Sequence, residues 1–458
     1  MSPKNLKTIF IIITALIYFL FAVFFIYTSD SRGEEGLYFA KIKEVYKIPF
    51  SFKNFDAYDY GFLALLFPIK LLYLRFLSEI TAFLGVIVLM LVLFRREKIW
   101  EGFLAGLLIA LNPITIYYFA VQEKWSLLFL GLALFLFIYF DYSFKKNFKN
   151  ILGVVILAFL SLIETSFFLL LIGFLVFLFL KNKLDLAKPE IKFRPLAIII
   201  FVFLALLFFS FRALNQDLFI ESDLPVYLAQ YFAVILLSLL VVFSKQATNK
   251  KSFLLFILIL FCLIEFLIPR FGSHTLFKTA FLPLTALFIS LNIGALFKEE
   301  KYKKILLPLI IIFLVLSPLA HKKVGENLLF FEETRNSPIK SSLELGELIK
   351  MKTEKNAQIF SVYPSFAAEA GRENLPEIRE CHADLNYKKR CNEKKQVEIL
   401  ENYLFENRKI DAIIFLEEDI VDYPETRRKI EEKYELSAEL PLHVRKMDKA
   451  LIYLPKKY

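Results

Sequence analysis

Histidine, cysteine and glycine are scarce in this chain of 458 residues, which has 4, 3 and 14 of them respectively. No glycine-rich phosphate loop is present, so with so few histidines soluble-type nucleotide chemistry has no foothold. There is no internal repeat of the kind that paired-half transporters carry, and no low-complexity segment. Of the three cysteines, Cys262 lies inside an apolar stretch, where it serves packing. Cys381 and Cys391 stand ten positions apart in a polar region. They form either a disulfide, which would contribute on the order of 3 kcal/mol, or two free thiols. Cys381, His382 and Cys391 together lack a fourth metal ligand at useful spacing, and no metal is expected.

What the chain has in excess is apolar surface. Hydrophobic residues make up 57% and the mean hydropathy is +0.55, more than a soluble domain can cover with polar groups. The chain therefore reads as an integral membrane protein with about eleven stretches of near-spanning length, several of them short. They run roughly over 8–28, 76–94, 100–119, 125–141, 151–163, 165–180, 195–213, 226–244, 252–269, 279–297 and 305–320. The first begins after Lys4 and Lys7 and is too long for a usual signal core. It has no small-x-small cleavage site and reads as a retained helix.

Orientation follows from Lys and Arg. Connections beginning at Met1, Arg95, Lys145, Lys181, Lys245 and Lys298 hold about 20 of them, and the alternate connections about 11. This predicts a cytoplasmic amino terminus and, with an odd span count, an extracytoplasmic first loop and tail. The net charge of +10 belongs mostly to these flanks and implies no nucleic-acid partner.

Two regions stand apart from the spans. The first outer loop, 29–75, is longer than loops usually run unless they work. Its second half, from Tyr60 to Leu77, predicts one or two interface helices, the alternative being a kinked extra span. From about 325 the chain turns polar. Ser341-x-x-Glu344 reads as a capping box opening a helix through Met351, with strands at Ala357–Val362, Ile410–Leu416 and Ala450–Leu454 and helices at Gln396–Arg408 and from Pro424 through Lys433. The expected organisation is thus a polytopic α-helical membrane domain over 1–324 and an extracytoplasmic α/β domain over 325–458.

Glu34 and Glu35 stand at the predicted outer rim in the run Ser31-Arg-Gly-Glu-Glu-Gly-Leu-Tyr-Phe-Ala-Lys-Ile-Lys-Glu44. Paired carboxylates there either solvate the loop beside Arg32, Lys41 and Lys43, or act as a base toward a hydroxyl or amine that attacks a sugar carbon. Touching carboxylates differ in proton affinity, so one can be the base while the other holds substrate hydroxyls.

This stretch resembles the first-loop signature of the C-type membrane glycosyltransferases, in particular protein O-mannosyltransferases and lipid A aminoarabinose transferases. In that signature an Asp-Glu pair is followed by Tyr and an amphipathic helix. Glu34 stands at the Asp position and Tyr38 on the family tyrosine. Asn112-Pro113 followed by Glu123 resembles the family's rim proline and acidic residue, and Lys278-Thr-Ala-Phe-Leu-Pro283 resembles its basic residue before Leu-Pro, with Arg270 one loop-length earlier. The chain departs from the pattern at Asp56-Ala-Tyr-Asp-Tyr-Gly61, where relatives carry a Pro-Pro turn.

The resemblance implies a membrane hexosyl- or pentosyltransferase that uses a polyprenyl-phosphate sugar as co-substrate, with no cofactor and with a protein or lipid acceptor. Glu34 and Glu35 would be catalytic, and Tyr38, Glu123, Lys124, Arg270 and Lys278 would bind substrate. Each has a plainer role beside it: Glu123 and Lys124 as an ion-paired loop, Arg270 and Lys278 as cations reaching headgroups from helix ends. The rival reading of the whole chain is a non-enzymatic lipid-linked glycan carrier, or an accessory membrane protein with a sensing domain.

Overall fold

The computed structural model describes residues 3–28, 71–112, 116–117, 119–120, 123–141, 144–183, 237–238, 241, 250–265, 276–297, 304, 307–308, 310–311, 338–378, 393–406, 408–441 and 449–456. The chain divides into two compact units, one of Met1–Val23 with Leu77–Leu329 and the other of Phe24–Phe76 with Phe330–Tyr458.

The first unit is helical. The main described helices are α1 (Pro3–Thr28) and α2 (Leu71–Phe94), whose end and start respectively fall in the second unit, and α3 (Ile99–Ala110), α4 (Glu123–Phe140), α5 (Lys146–Ile163), α6 (Phe167–Lys183), α7 (Lys250–Ile264) and α8 (Leu282–Leu296); a five-residue π-helical segment, Phe277–Phe281, leads into α8. The 26 residues of α1 rise about 39 Å, enough to cross a bilayer. Only α1 and α2 among the described helices are both long and apolar enough to do so.

Side-chain spacing on α1 separates two faces. Ile9, Ile12, Leu16, Leu20 and Val23 are exposed, whereas Thr14, Tyr18, Ala22 and Phe25 are buried. A helix that exposes large aliphatic residues and buries hydroxyls fits a lipid solvent rather than water. On α5 the exposed stripe is Phe148, Ile151, Val155, Phe159 and Leu162. Packing between helices is close: a Cβ on Gly153 of α5 would stand 2.9 Å from Phe174 of α6 and 3.0 Å from Phe135 of α4, so glycine there lets three helices meet.

Positive residues at one end of the unit fasten helix termini. Arg95 pairs with Asp141, Arg96 donates to the Phe140 carbonyl at 2.7 Å, and Lys98 donates to the Leu291 carbonyl at 3.2 Å. Phe140 ends α4, so its carbonyl has no partner within the helix and Arg96 supplies one; the Leu291 carbonyl lies a turn inside α8 and takes Lys98 as an added donor.

Two expected boundaries are corrected. The segment expected to lie at the interface up to Leu77 is helical from Leu71 and continues unbroken as α2. Arg75 does not interrupt it, because its buried guanidinium donates to the Ile26 carbonyl at 2.6 Å. The span expected over 100–119 stops at Ala110, where Pro113 disfavours helix for Asn112 and has no N–H to give. The expected spans at 195–213, most of 226–244 and most of 305–320 lie outside the described residues, as do Cys381 and Cys391.

The carboxyl-terminal part of the second unit is an α/β sandwich. Its elements are α9 (Pro338–Lys352), β1 (Gln358–Ser361), α10 (Pro364–Ala370), β2 (Glu373–Asn374), α11 (Glu393–Phe405), β3 (Ala412–Leu416), α12 (Glu417–Val421), α13 (Pro424–Lys433), β4 (Tyr434–Pro441) and β5 (Lys449–Pro455). The strand order is β2-β1-β3-β5-β4. β1 runs parallel to β2 and β3, and β5 runs antiparallel to both β3 and β4.

Alternation along the strands builds two cores. Ile359, Ala412, Ile414 and Ile452 face the layer that includes Leu345 and Ile349 of α9 and Phe366 of α10. Phe360, Ile413, Phe415, Leu451 and Tyr453 face the layer that includes Leu400 of α11 and Ile430 of α13. Both faces of β3 are covered, so all five of its residues are buried.

The expected strands and later helices are present within a few residues. Two details differ: α9 begins at Pro338, which leaves Ser341 buried inside the helix rather than capping it, and β4, whose apolar residues are sparse, was not expected. Gly371 ends α10 at φ 64, the left-handed conformation that glycine adopts without strain. The Arg372 guanidinium donates to the carbonyls of Thr353 at 2.7 Å and Lys350 at 3.1 Å, closing the end of α9.

Candidate functional site

Two of the elements that carry expected site residues are brought together. Glu123 and Lys124 occupy the first turn of α4, where unpaired backbone N–H groups favour a carboxylate. Lys278 lies in the π-helical segment, a wide-turned geometry that recurs at functional sites. That segment packs against α4, α7 and α8. The Glu265 carboxylate at the end of α7 accepts from the Leu276 backbone N–H at 3.2 Å, joining the two ends of the connection that carries Arg270.

α4 is held to α2 one turn beyond Glu123. The Ser78 hydroxyl donates to the Phe119 carbonyl at 2.6 Å and lies 3.0 Å from the Ser126 hydroxyl. All three positions are buried, so the contact fixes where α4 starts relative to α2.

Glu34, Glu35, Tyr38 and Arg270 lie outside the described residues, and the side chains of Glu123, Lys124 and Lys278 are likewise not described. Among the expected site residues, then, placement is given for the backbone of Glu123, Lys124 and Lys278 alone.

Sequence reasoning passed over three buried polar groups of the helical part: Tyr18, Glu79 and Glu265. Tyr18 of α1 donates to Glu79 Oε2 of α2 at 2.5 Å. Both residues have no exposed surface, and Glu79 Oε1 has no hydrogen-bond partner among the described residues. A carboxyl inside an apolar helix is costly and marks function or a specific helix contact. The signal was in the sequence, since Glu79 is the single acid of the run Leu71–Phe94. The Tyr18 bond makes it a pin between α1 and α2.

No protein-family model and no curated protein matches the chain in sequence. In structure it is similar to ArnT from Cupriavidus metallidurans, whose crystal structure contains undecaprenyl phosphate. The match has a TM-score of 0.60 at 10% identity and covers 98% of both chains. The chain therefore has the fold of ArnT over nearly its whole length.

Proposed function

We propose that the chain is a membrane glycosyltransferase that moves a sugar from a polyprenyl-phosphate donor to an acceptor at the outer face of the membrane. The observation that carries this reading is the fold likeness over 98% of both chains to ArnT, a protein crystallised with undecaprenyl phosphate. That the first loop and the tail share one side is supported by the grouping of Phe24–Phe76 with Phe330–Tyr458 in one unit, and the assignment of that side as the outer one follows from the distribution of Lys and Arg.

In the proposed reaction the Glu34 carboxylate takes the proton of an acceptor hydroxyl or amine as that group attacks the sugar carbon. The bond from that carbon to the phosphate oxygen breaks, and polyprenyl phosphate leaves with the bonding electrons. A single displacement inverts the sugar carbon. Glu35 and Tyr38 orient the substrates, and Glu123 with Lys124 positions acceptor or sugar from the start of α4. Arg270 and Lys278 offset the charge that grows on the leaving phosphate, an interaction stronger in the transition state than in the ground state.

The test is a transfer assay with purified full-length protein and a panel of polyprenyl-phosphate hexoses and pentoses. Acceptor-dependent release of polyprenyl phosphate is expected for at least one donor. Tight binding of a lipid-linked sugar with no turnover by any donor would instead support the carrier reading. Lys278→Ala is expected to lower kcat more than it raises KM, and a change in KM alone would assign Lys278 to ground-state binding.

A further inference from the structure

The end of α3 leaves a buried polar group without a partner. Asn112 follows the helix, with its backbone N–H donating to the Ile109 carbonyl at 3.1 Å, and the residue is only 1% exposed. Its side-chain Oδ1 is buried and has no hydrogen-bond partner among the described residues. Buried amide oxygens are nearly always bonded, and one left open carries a desolvation cost that a bound donor removes.

Helix packing places this group. Lys98, Ala105 and Asn112 recur at seven-residue spacing and so share one face of α3. Lys98 marks that face as the one toward α8, because it donates to the Leu291 carbonyl. The opposite side is taken by α1 and α2: a Cβ on Gly106 would stand 2.7 Å from Met90 Sδ and 3.1 Å from Thr14. Leu291 lies near the C-terminal end of α8, so α3 packs along α8 by running back toward its start. Asn112 is as many residues from Lys98 as Phe277 is from Leu291, a rise of about 21 Å on either path. Asn112 is therefore level with the π-helical segment Phe277–Phe281, which carries Lys278 and packs against α4, the helix that opens with Glu123 and Lys124.

We propose that the Asn112 amide oxygen accepts a hydrogen bond from a hydroxyl of the donor sugar, an assignment that rests on the transferase reading above. In that reading Lys278 offsets the charge on the leaving phosphate. The sugar is bonded to that phosphate, so a group level with Lys278 stands beside the sugar ring and not beside the polyprenyl chain. A neutral amide suits the place: its oxygen accepts from a hydroxyl, whereas a carboxylate there would repel the phosphate. The contact also selects among sugars, because a donor lacking that hydroxyl leaves Oδ1 buried and open.

The test is equilibrium binding by the purified full chain of bare undecaprenyl phosphate, of its hexose and pentose esters, and of monodeoxy forms of whichever ester binds most tightly. With the parent protein, one monodeoxy form should bind about 10-fold more weakly than the full sugar. Asn112→Ala should lose about 10-fold for the full sugar, lose nothing further for that monodeoxy form, and leave bare undecaprenyl phosphate unchanged. Equal weakening of all three lipids would mean that Asn112 only supports the fold, and would overturn the proposal. A parent that binds every monodeoxy form as tightly as the full sugar would overturn it without any variant having to fold. So would a parent that binds sugar-bearing and bare lipid alike. Transfer is read separately, as acceptor-dependent release of polyprenyl phosphate, so loss of this contact and failure of the transferase reading give different results.

Discussion

On α1 the exposed face presents Ile12, Leu16 and Leu20 while Tyr18 is buried with its hydroxyl on Glu79. In the sandwich the placement is reversed. Ile413 and Phe415 are buried in one layer and Ile414 in the other, and the ion pairs Arg427 with Glu431 and Lys395 with Glu398 lie on the outside. The same chain therefore follows two solvent rules. Where lipid surrounds a helix, apolar residues gain nothing from turning inward, so specificity falls to buried polar contacts and close approach. Where water surrounds the sheet, apolar burial drives folding and surface pairs add little.

The largest effect that would sharpen this contrast is in the sandwich core. Phe415→Ala should destabilise that unit by about 3–5 kcal/mol, whereas Leu16→Ala on α1 should cost under about 0.5 kcal/mol. Amide hydrogen exchange of the full chain in detergent resolves the two units separately. Equal losses would mean that α1's aliphatic stripe is a protein contact and not a lipid face.

Next in size is the Tyr18–Glu79 pin. Tyr18→Phe strips the one bonded carboxyl oxygen of its partner and should cost about 1–3 kcal/mol. Adding Glu79→Leu should recover most of that loss, because no buried polar group is then left unpaired. Thermal unfolding of the two variants reads this directly, and a double variant worse than the single would give Glu79 a further buried partner.

Gly371→Ala tests a backbone effect free of packing. A Cβ at Gly371 would meet nothing within 4 Å, so the cost, roughly 1 kcal/mol, comes from the left-handed φ alone. A denaturant midpoint unchanged in this variant would show that the end of α10 relaxes to another conformation.

The smallest effect is electrostatic. Burial pushes the Glu377 carboxyl up, but the Tyr403 hydroxyl, a backbone bond and Arg408 outweigh it and hold it below the ordinary carboxylate range. A carboxyl lowered by folding contributes stability above its unfolded pKa, and that contribution is lost as pH falls through the lowered value. Acid unfolding of the sandwich should therefore flatten slightly in Tyr403→Phe. Because Glu377 is 41% exposed, solvent screens the effect and it should also shrink with salt. A steeper acid limb in the variant would contradict the assignment.

The sandwich was the more legible half of the sequence. Short apolar runs between polar helices located β1, β3 and β5, and Pro424 marked the start of α13. β4 was missed because Glu435, Ser437 and Glu439 leave it little apolar signal, and its place is set by pairing with β5. In the helical unit hydropathy located α1 and α2 but misjudged their ends, since a buried Arg75 reads as a boundary until its carbonyl partner is seen. For the site, the family resemblance led to Glu123 and Lys278, whose elements pack together. Glu79 went unremarked because hydropathy averages one acid into twenty-three other residues of its helix.

Sugar transfer from a polyprenyl phosphate by the purified full chain, compared with its Glu34→Gln variant at equal membrane insertion, decides whether the chain is a transferase with Glu34 as its base. A positioned base contributes on the order of 10²–10⁴ in rate. Turnover by the parent and a loss of at least about 100-fold in the variant are expected. A variant that transfers sugar at the parental rate would contradict the role of Glu34, and a parent that transfers from no donor would contradict the enzyme.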